Sequence, residues 1–143
     1  MRTSAAQGML FAVFVAGIIP ATAGAAEDIK GGEWQFTTHI QLPGMAQPGG
    51  AEGMTRTACI DPANPVPPDA QCRLDNLRRN GSVVMWATTC TSPIGPVQST
   101  GSARYAGDTM QGSLTTRVRG ANGTPIDAPG QITGRYLGPC DAR

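Results

Sequence analysis

The chain is poor in the residues on which catalytic and metal-binding sites most often depend. It has one histidine, His39, and aromatic residues make up only 5% of its 143 residues. Its cysteines show no C-x₂₋₄-C spacing, which argues against a zinc site. Any Ser-His-Asp or Cys-His arrangement would have to use His39 itself. We therefore expect no enzymatic activity and no cofactor.

An excess of positive charge is also missing. Lys and Arg together number 11 and Asp and Glu number 10, and the basic residues are scattered. Nucleic acids and anionic membranes are bound by clustered cations that release phosphate counterions. Because the net charge is close to zero, we do not expect nucleic acid as a partner.

The one long apolar run stands at the start of the chain. Arg2 precedes the run GMLFAVFVAGIIP, which is too short to span a bilayer, and the small residues ATAGAA follow it. This pattern predicts a signal peptide over residues 1–26, with cleavage before Ala26 or Glu27. The alternative, a retained amphipathic helix, is disfavoured because no acidic residue precedes Glu27. No cysteine lies near the cut and no later segment is apolar enough to cross a membrane, so we expect a periplasmic or secreted protein without a lipid anchor.

Residues 27–143 are expected to form a single all-β domain. Sixteen glycines and eleven prolines divide this part into short pieces, and the recurring pattern is alternation with period two. In the stretch GEWQFTTHIQL, Trp34, Phe36 and Ile40 fall on one face, whereas His39 falls on the other with polar neighbours. The pattern predicts a small antiparallel β-barrel or curled sheet of about seven or eight short strands.

Further strands are predicted at 54–60, at 130–138 and in two hairpins, 72–90 and 97–120. The proline-rich segment 61–70 between them can be neither a helix interior nor a central strand. The first hairpin is expected to turn through a three-residue loop, Asn80-Gly81-Ser82, and the second around 106–108. Gly101, Gly112 and Gly134 interrupt strand patterns, where glycine often marks a bulge or bend.

Four cysteines in an exported domain of this size predict two disulfide bonds. The three-residue loop would place Cys72 opposite Cys90, which leaves Cys59 for Cys140. In a simple meander Cys59 and Cys140 would lie at opposite ends of the sheet, so this pairing needs one connection to depart from a meander. The other two pairings remain open: Cys59 with Cys72 and Cys90 with Cys140, or Cys59 with Cys90 and Cys72 with Cys140. Each bridge would stabilise the fold by about 3–5 kcal/mol.

The order of landmarks along the chain resembles the exported bacterial family called domain of unknown function 3617. The shared features are Gly32-x-Trp34, Leu-Pro-Gly-Met at 42–45, Cys59, Cys72, Gly81, VVMWATTC at 83–90, Tyr105-x-Gly107-Asp108-x-x-x-Gly112 and Leu137-Gly138-x-Cys140. The resemblance covers nearly the whole chain after residue 26, although many members carry more methionines near the Pro-Gly-Met loop. It implies an exported protein and a fold class but no reaction or ligand.

Two sets of residues are candidates for a site. Thioether and imidazole groups suit Cu(I), and His39, Met45 and Met54 bracket the loop 43–53; ordinary packing is the competing reading, as for Met85 and Met110, which we expect on buried strand faces. The aromatic residues could line a small apolar pocket, although narrow barrels are usually filled by side chains. These pocket candidates are Trp34, Phe36, Trp86 and Tyr105.

The sequence thus favours a non-catalytic binding or envelope-associated module. Its partner would be an envelope protein or a small apolar ligand. A soft-metal carrier and a protein-interaction or inhibitor module are the alternatives.

Overall fold

A computed structural model describes residues 28–44, 46–93 and 95–141. The predicted signal peptide and Met45 lie outside the described residues. Within them the chain forms one sheet of seven antiparallel strands, which confirms the predicted all-β class. The strands are β1 (Gly32–Ile40), β2 (Met54–Ile60), β3 (Cys72–Asn80), β4 (Val83–Cys90), β5 (Val97–Ala106), β6 (Thr109–Arg119) and β7 (Pro125–Gly138), with one short 3₁₀ turn at Gly50–Glu52.

The sheet curls into a half-barrel whose strand order is β2-β1-β7-β6-β5-β4-β3. Strands β3 to β7 form a meander, and β1 then pairs with β7 on one side and with β2 on the other. β2 and β3 are therefore the two edges, and they run in the same direction. The connection from β2 to β3, residues 61–71, must return along the full length of the strands.

Alternation along the strands gives the sheet one apolar, concave face. Trp34 and Phe36 of β1 are buried on this face, and His39 is exposed on the outer one, as the pattern predicts. Met110 is likewise buried. Met85 differs from the expectation, because it lies on the outer face and is 43% exposed.

The core lies at the end of the half-barrel where β1 begins and β7 finishes, which we call the closed end. Trp34 is fully buried there, its ring edge-on to Tyr105 and Tyr136 at centroid distances of 5.1 and 5.5 Å. The Trp34 indole N–H donates to the Lys30 carbonyl at 3.0 Å. Ile29, just before β1, is also buried in this cluster. Burial of each large apolar side chain stabilises the fold by about 1.5–3 kcal/mol.

The β3–β4 hairpin corrects one prediction. Its turn has two residues, Gly81 and Ser82, because Asn80 pairs with Val83. This shifts the register by one from the three-residue form. A bulge at Asp75 shifts it back, so that Cys72 still lies opposite Cys90.

Two disulfide bonds join Cys72 to Cys90 and Cys59 to Cys140, which is the pairing favoured from the sequence. Cys59 and Gly138 both pair with Glu33, from opposite sides of β1, and this brings Cys140 close to Cys59. The departure from a meander is therefore the β2–β3 connection. The Cys59–Cys140 bridge lies at the closed end. The Cys72–Cys90 bridge lies at the opposite, open end.

The glycines inside strands have a different role from the one predicted. The ladder runs without a register shift past Gly101, Gly112 and Gly134. Instead, large side chains lie over two of them: Trp86 faces Gly101 and Phe36 faces Gly134. Aromatic rings placed over glycine on a neighbouring strand fill the space that a side chain would take.

Strand β7 is longer than predicted, because its ladder continues through Pro129 to Pro125. β1 ends at Ile40, opposite Gly130, and just beyond it the Gln41 backbone N–H donates to the Pro129 carbonyl at 2.8 Å. Pro129 has no N–H with which to donate in return, and the pairing of β1 with β7 stops at this point.

Candidate functional site: a cleft in the concave face

The concave face is packed at the closed end and hollow toward the open end. The hollow is a cleft of about 410 Å³, which is within the usual range for small-molecule sites. Every strand contributes at least one residue to its lining. The expectation of a filled interior therefore holds for only half of the half-barrel.

The floor of the cleft is apolar. It is formed by Phe36, Trp86, Leu114 and Ile132, one residue from each of four strands. Phe36 and Ile132 are buried, whereas Trp86 and Leu114 are half-buried and present apolar surface to the hollow. Burial of exposed aromatic and aliphatic surface is what a bound apolar molecule would gain here.

Hydroxyl groups form a row above this floor. Thr88 of β4, Ser99 of β5 and Thr116 of β6 are directly opposite one another across the three strands. The Ser99 and Thr116 hydroxyl oxygens are 3.0 Å apart and share a hydrogen bond. Thr116 is 6% exposed, so it is a buried polar side chain in a largely apolar wall.

The open side of the cleft, between β2 and β3, is crossed by the segment 61–71, which we call the strap. Side chains rather than a backbone ladder hold it in place. The Tyr105 hydroxyl donates to the Pro65 carbonyl at 2.7 Å, Arg79 donates to the Pro62 carbonyl at 2.9 Å, and Arg56 donates to the Pro67 carbonyl at 3.2 Å. Burial raises the pKa of Tyr105 well above its ordinary value, so this hydroxyl stays protonated and able to donate.

Within the described residues, the charged side chains that line the cleft are Arg56 and Asp69, and they pair with each other. A guanidinium nitrogen of Arg56 lies 3.1 Å from Asp69 Oδ2. The other carboxylate oxygen of Asp69 accepts the Gln71 backbone N–H at 2.9 Å. The cleft therefore offers a ligand no uncompensated charge.

The structure divides the four pocket candidates into two pairs. Phe36 and Trp86 line the cleft, whereas Trp34 and Tyr105 are buried in the packed closed end. Sequence alternation places all four on the concave face. The alternation does not indicate at which position along the strands the packed core ends and the hollow begins.

The candidate copper ligands are not brought together where they are described. His39 is exposed on the outer face, with its ring over Gly53. Met54 pairs with Thr38 and lines the cleft on the concave face, so the sheet lies between the two side chains. In the described part of the chain, no group of three or more His, Cys, Asp or Glu side chains could hold a metal ion.

The sequence does not indicate several of the residues that line the cleft. The hydroxyl row is visible there only as scattered Ser and Thr in three strands, and its alignment depends on strand registers that span two hairpins. Arg56 and Asp69 look like ordinary surface charges in the sequence. Leu114 and Ile132 have the right alternation but share it with core residues.

Comparison with known proteins gives one family. The family model described as "Protein of unknown function (DUF3617)" matches residues 29–140, nearly all of the described chain. The chain belongs to this family. Among curated proteins and among solved structures, no match to this DUF3617 protein is found. The family description assigns no activity, so a function for this DUF3617 protein rests on the chemistry of the cleft.

Over residues 28–44, 46–93 and 95–141, no helix is both long and apolar enough to cross a bilayer.

Proposed function

We propose that this protein is an exported, non-catalytic binding protein of the bacterial envelope that takes a small apolar ligand into the cleft. The observation that carries the proposal is the half-filled concave face. Trp86 and Leu114 remain half-buried over a hollow of about 410 Å³ while the closed end is fully packed. A sheet that served only as a scaffold would gain stability by filling this space, since unfilled apolar volume costs free energy.

The wall chemistry supports binding rather than catalysis. Among the described residues, the cleft lining contains hydroxyl groups and one Arg–Asp ion pair but neither histidine nor a free cysteine. General acid–base and nucleophilic catalysis need a titratable or activated group that can reach the substrate. An apolar floor with a few polar groups is typical of ligand-binding sites.

Binding can be tested with Nile red, an apolar dye that fluoresces strongly when shielded from water. We expect saturable dye binding to the purified protein, accompanied by a change in the emission of Trp86. The chain has two tryptophans, and Trp34 is fully buried in the closed end. In the Trp86→Phe variant the remaining Trp34 emission should therefore respond much less to the dye.

A matched pair of variants locates the dye. Ser99 faces the cleft, whereas Thr100, the next residue of β5, faces outward and is exposed. We expect Ser99→Phe to weaken dye binding about tenfold or more, because loss of roughly 1.4 kcal/mol of contact already gives that factor. Thr100→Phe should bind as the wild type does. Equal binding by both variants, with urea unfolding midpoints showing both folded, would contradict binding in the cleft.

Export is supported by the two disulfide bonds, which persist in oxidising compartments, and by the resemblance to an exported family. Expression of the full chain in a bacterial host should yield a periplasmic protein whose N-terminal sequence begins at Ala26 or Glu27. Recovery of the protein only in the cytoplasm, with residues 1–26 retained, would refute export.

A further inference from the structure

We infer that the ligand of the cleft is a neutral molecule that carries a hydroxyl or carbonyl oxygen on an apolar frame, and that the row of Thr88, Ser99 and Thr116 holds this oxygen. The inference rests on the proposed function, because it names the chemical class that the same cleft selects. It is carried by the placement of the hydroxyl row and by the pairing of the nearby charges.

The row lies between apolar groups on both sides along the strands. On β4, Trp86 precedes Thr88 and Cys90 of the disulfide follows it on the same face; on β5, Val97 precedes Ser99. A ligand whose apolar part rests on Trp86 therefore passes the hydroxyls before it reaches the open end. A ligand oxygen placed beside the hydroxyl row can form hydrogen bonds with it. A purely hydrocarbon ligand would leave these hydroxyl groups without a partner.

The hydroxyls have hydrogen-bonding capacity to spare. Ser99 and Thr116 contribute two O–H protons, and the bond between them uses one. The second proton, together with the hydroxyl of Thr88, is available to a ligand oxygen, because each hydroxyl has one donor and two acceptor sites. Sites built to hydrogen-bond a ligand oxygen discriminate against the analogue that lacks it, since their polar groups are then left without a partner.

The charges near the cleft favour a neutral ligand. Arg56 is bonded to Asp69 and to the Pro67 carbonyl, and Asp69 is bonded to Arg56 and to the backbone of Gln71. A carboxylate or an ammonium group would have to break this pair or enter without a counter-ion. Burial of an unpaired charge is far more costly than burial of a hydroxyl or carbonyl group.

The volume of the cleft sets the size of the enclosed part. A water molecule occupies about 30 Å³ in the liquid, so the hollow of about 410 Å³ has room for roughly fourteen groups of that size. An apolar frame of about ten heavy atoms with one oxygen therefore fits within the cleft, and a longer molecule would project from the open end. Naphthol has these dimensions.

The test uses three probes with one ring system: naphthol, naphthalene and naphthoate, each titrated as a competitor of Nile red. We expect naphthol to bind about three- to tenfold more tightly than naphthalene, the factor that one neutral hydrogen bond provides. Naphthoate should bind more weakly than both. The double variant Ser99→Ala/Thr116→Val should lose the preference for naphthol but keep its affinity for naphthalene.

The matched control is Thr100→Val/Thr115→Val, which changes two directly opposed residues on the outer face of the same two strands. It should retain the wild-type preference. An unchanged preference in the Ser99→Ala/Thr116→Val variant would overturn the role of the hydroxyl row, and tightest binding of naphthoate would overturn the neutral ligand. Neither outcome would contradict the proposed function. The proposed function would be refuted if the wild-type protein showed no saturable binding of Nile red.

Discussion

Substitution of Gly101 by alanine should destabilise the protein, although the same change in an open strand position would be favourable. An ideal Cβ at Gly101 would lie 2.3 Å from Cζ2 and 2.6 Å from Cε2 of Trp86. Real Cβ atoms do not approach other atoms so closely, so the indole ring must move. Trp86 forms part of the cleft floor, and its displacement would also alter the site.

Two opposing terms set the size of the effect. Glycine in a strand interior costs about 0.5–1 kcal/mol relative to alanine, a cost that the substitution removes. Overpacking against a ring that must leave its rotamer costs about 1–3 kcal/mol. The steric clash is the larger of the two terms, so the free energy of unfolding should fall by about 0.5–2 kcal/mol. For a small protein this lowers the urea midpoint by about 0.3–1 M.

The assay is urea unfolding, combined with Nile red binding, in a double-mutant cycle with Trp86→Leu. Without the indole ring, Gly101→Ala should be neutral or stabilising. The reasoning is refuted if Gly101→Ala costs the same free energy with leucine at position 86 as with tryptophan, because the loss would then not come from this contact.

Three further changes test other features. Tyr105→Phe leaves the buried Pro65 carbonyl without its donor and should reduce stability by about 1–3 kcal/mol in urea unfolding; no loss would mean that this bond does not hold the strap. Deletion of Asp75 removes the extra residue of the bulge but leaves Leu74 opposite Thr88 and Cys72 opposite Cys90, so thiol titration of the unfolded protein should find no free thiol; two free thiols would mean that the bulge does not set the register of the cysteines. Hydrogen bonds from Thr89 and Arg73 hold the pKa of Asp75 below its ordinary value, so its contribution to stability is present at neutral pH and is lost as the pH falls through the folded-state pKa. Asp75→Asn should therefore lower the urea midpoint at pH 7 more than at pH 3, and an equal change at both would contradict this sign.

The sequence predicts the parts of this fold that depend on local alternation. The concave placement of Trp34 and Phe36, the outward placement of His39 and the positions of both hairpins follow from period two and from glycine-containing turns. The disulfide pairing favoured from the sequence is present, but one step of its derivation is wrong. The turn is one residue shorter than predicted, and the bulge at Asp75 restores the register. Cys72 therefore faces Cys90 both with a three-residue turn and with a two-residue turn plus a bulge, so the cysteines could not distinguish these two hairpins.

The hollow could not be predicted, because it depends on how far the sheet closes. Alternation gives the same signal for Phe36, which covers Gly134 at the edge of the packed core, and for Leu114 or Met54, which border empty space. The height at which packing stops is set by strand registers and by the path of the segment 61–71. Both are long-range properties of the chain.

The strap explains why the sheet stops at seven strands and why a cleft remains. It runs from the closed end to the open end between β2 and β3, antiparallel to both, in the direction that an eighth strand closing the barrel would take. Its four prolines cannot donate to a ladder, so side-chain hydrogen bonds attach it instead. A wall held in this way covers the core at the closed end, where Tyr105 reaches Pro65, without drawing β2 and β3 together at the open end. The same prolines that prevent closure of the barrel thus leave the space in which Trp86 and the hydroxyl row face a ligand.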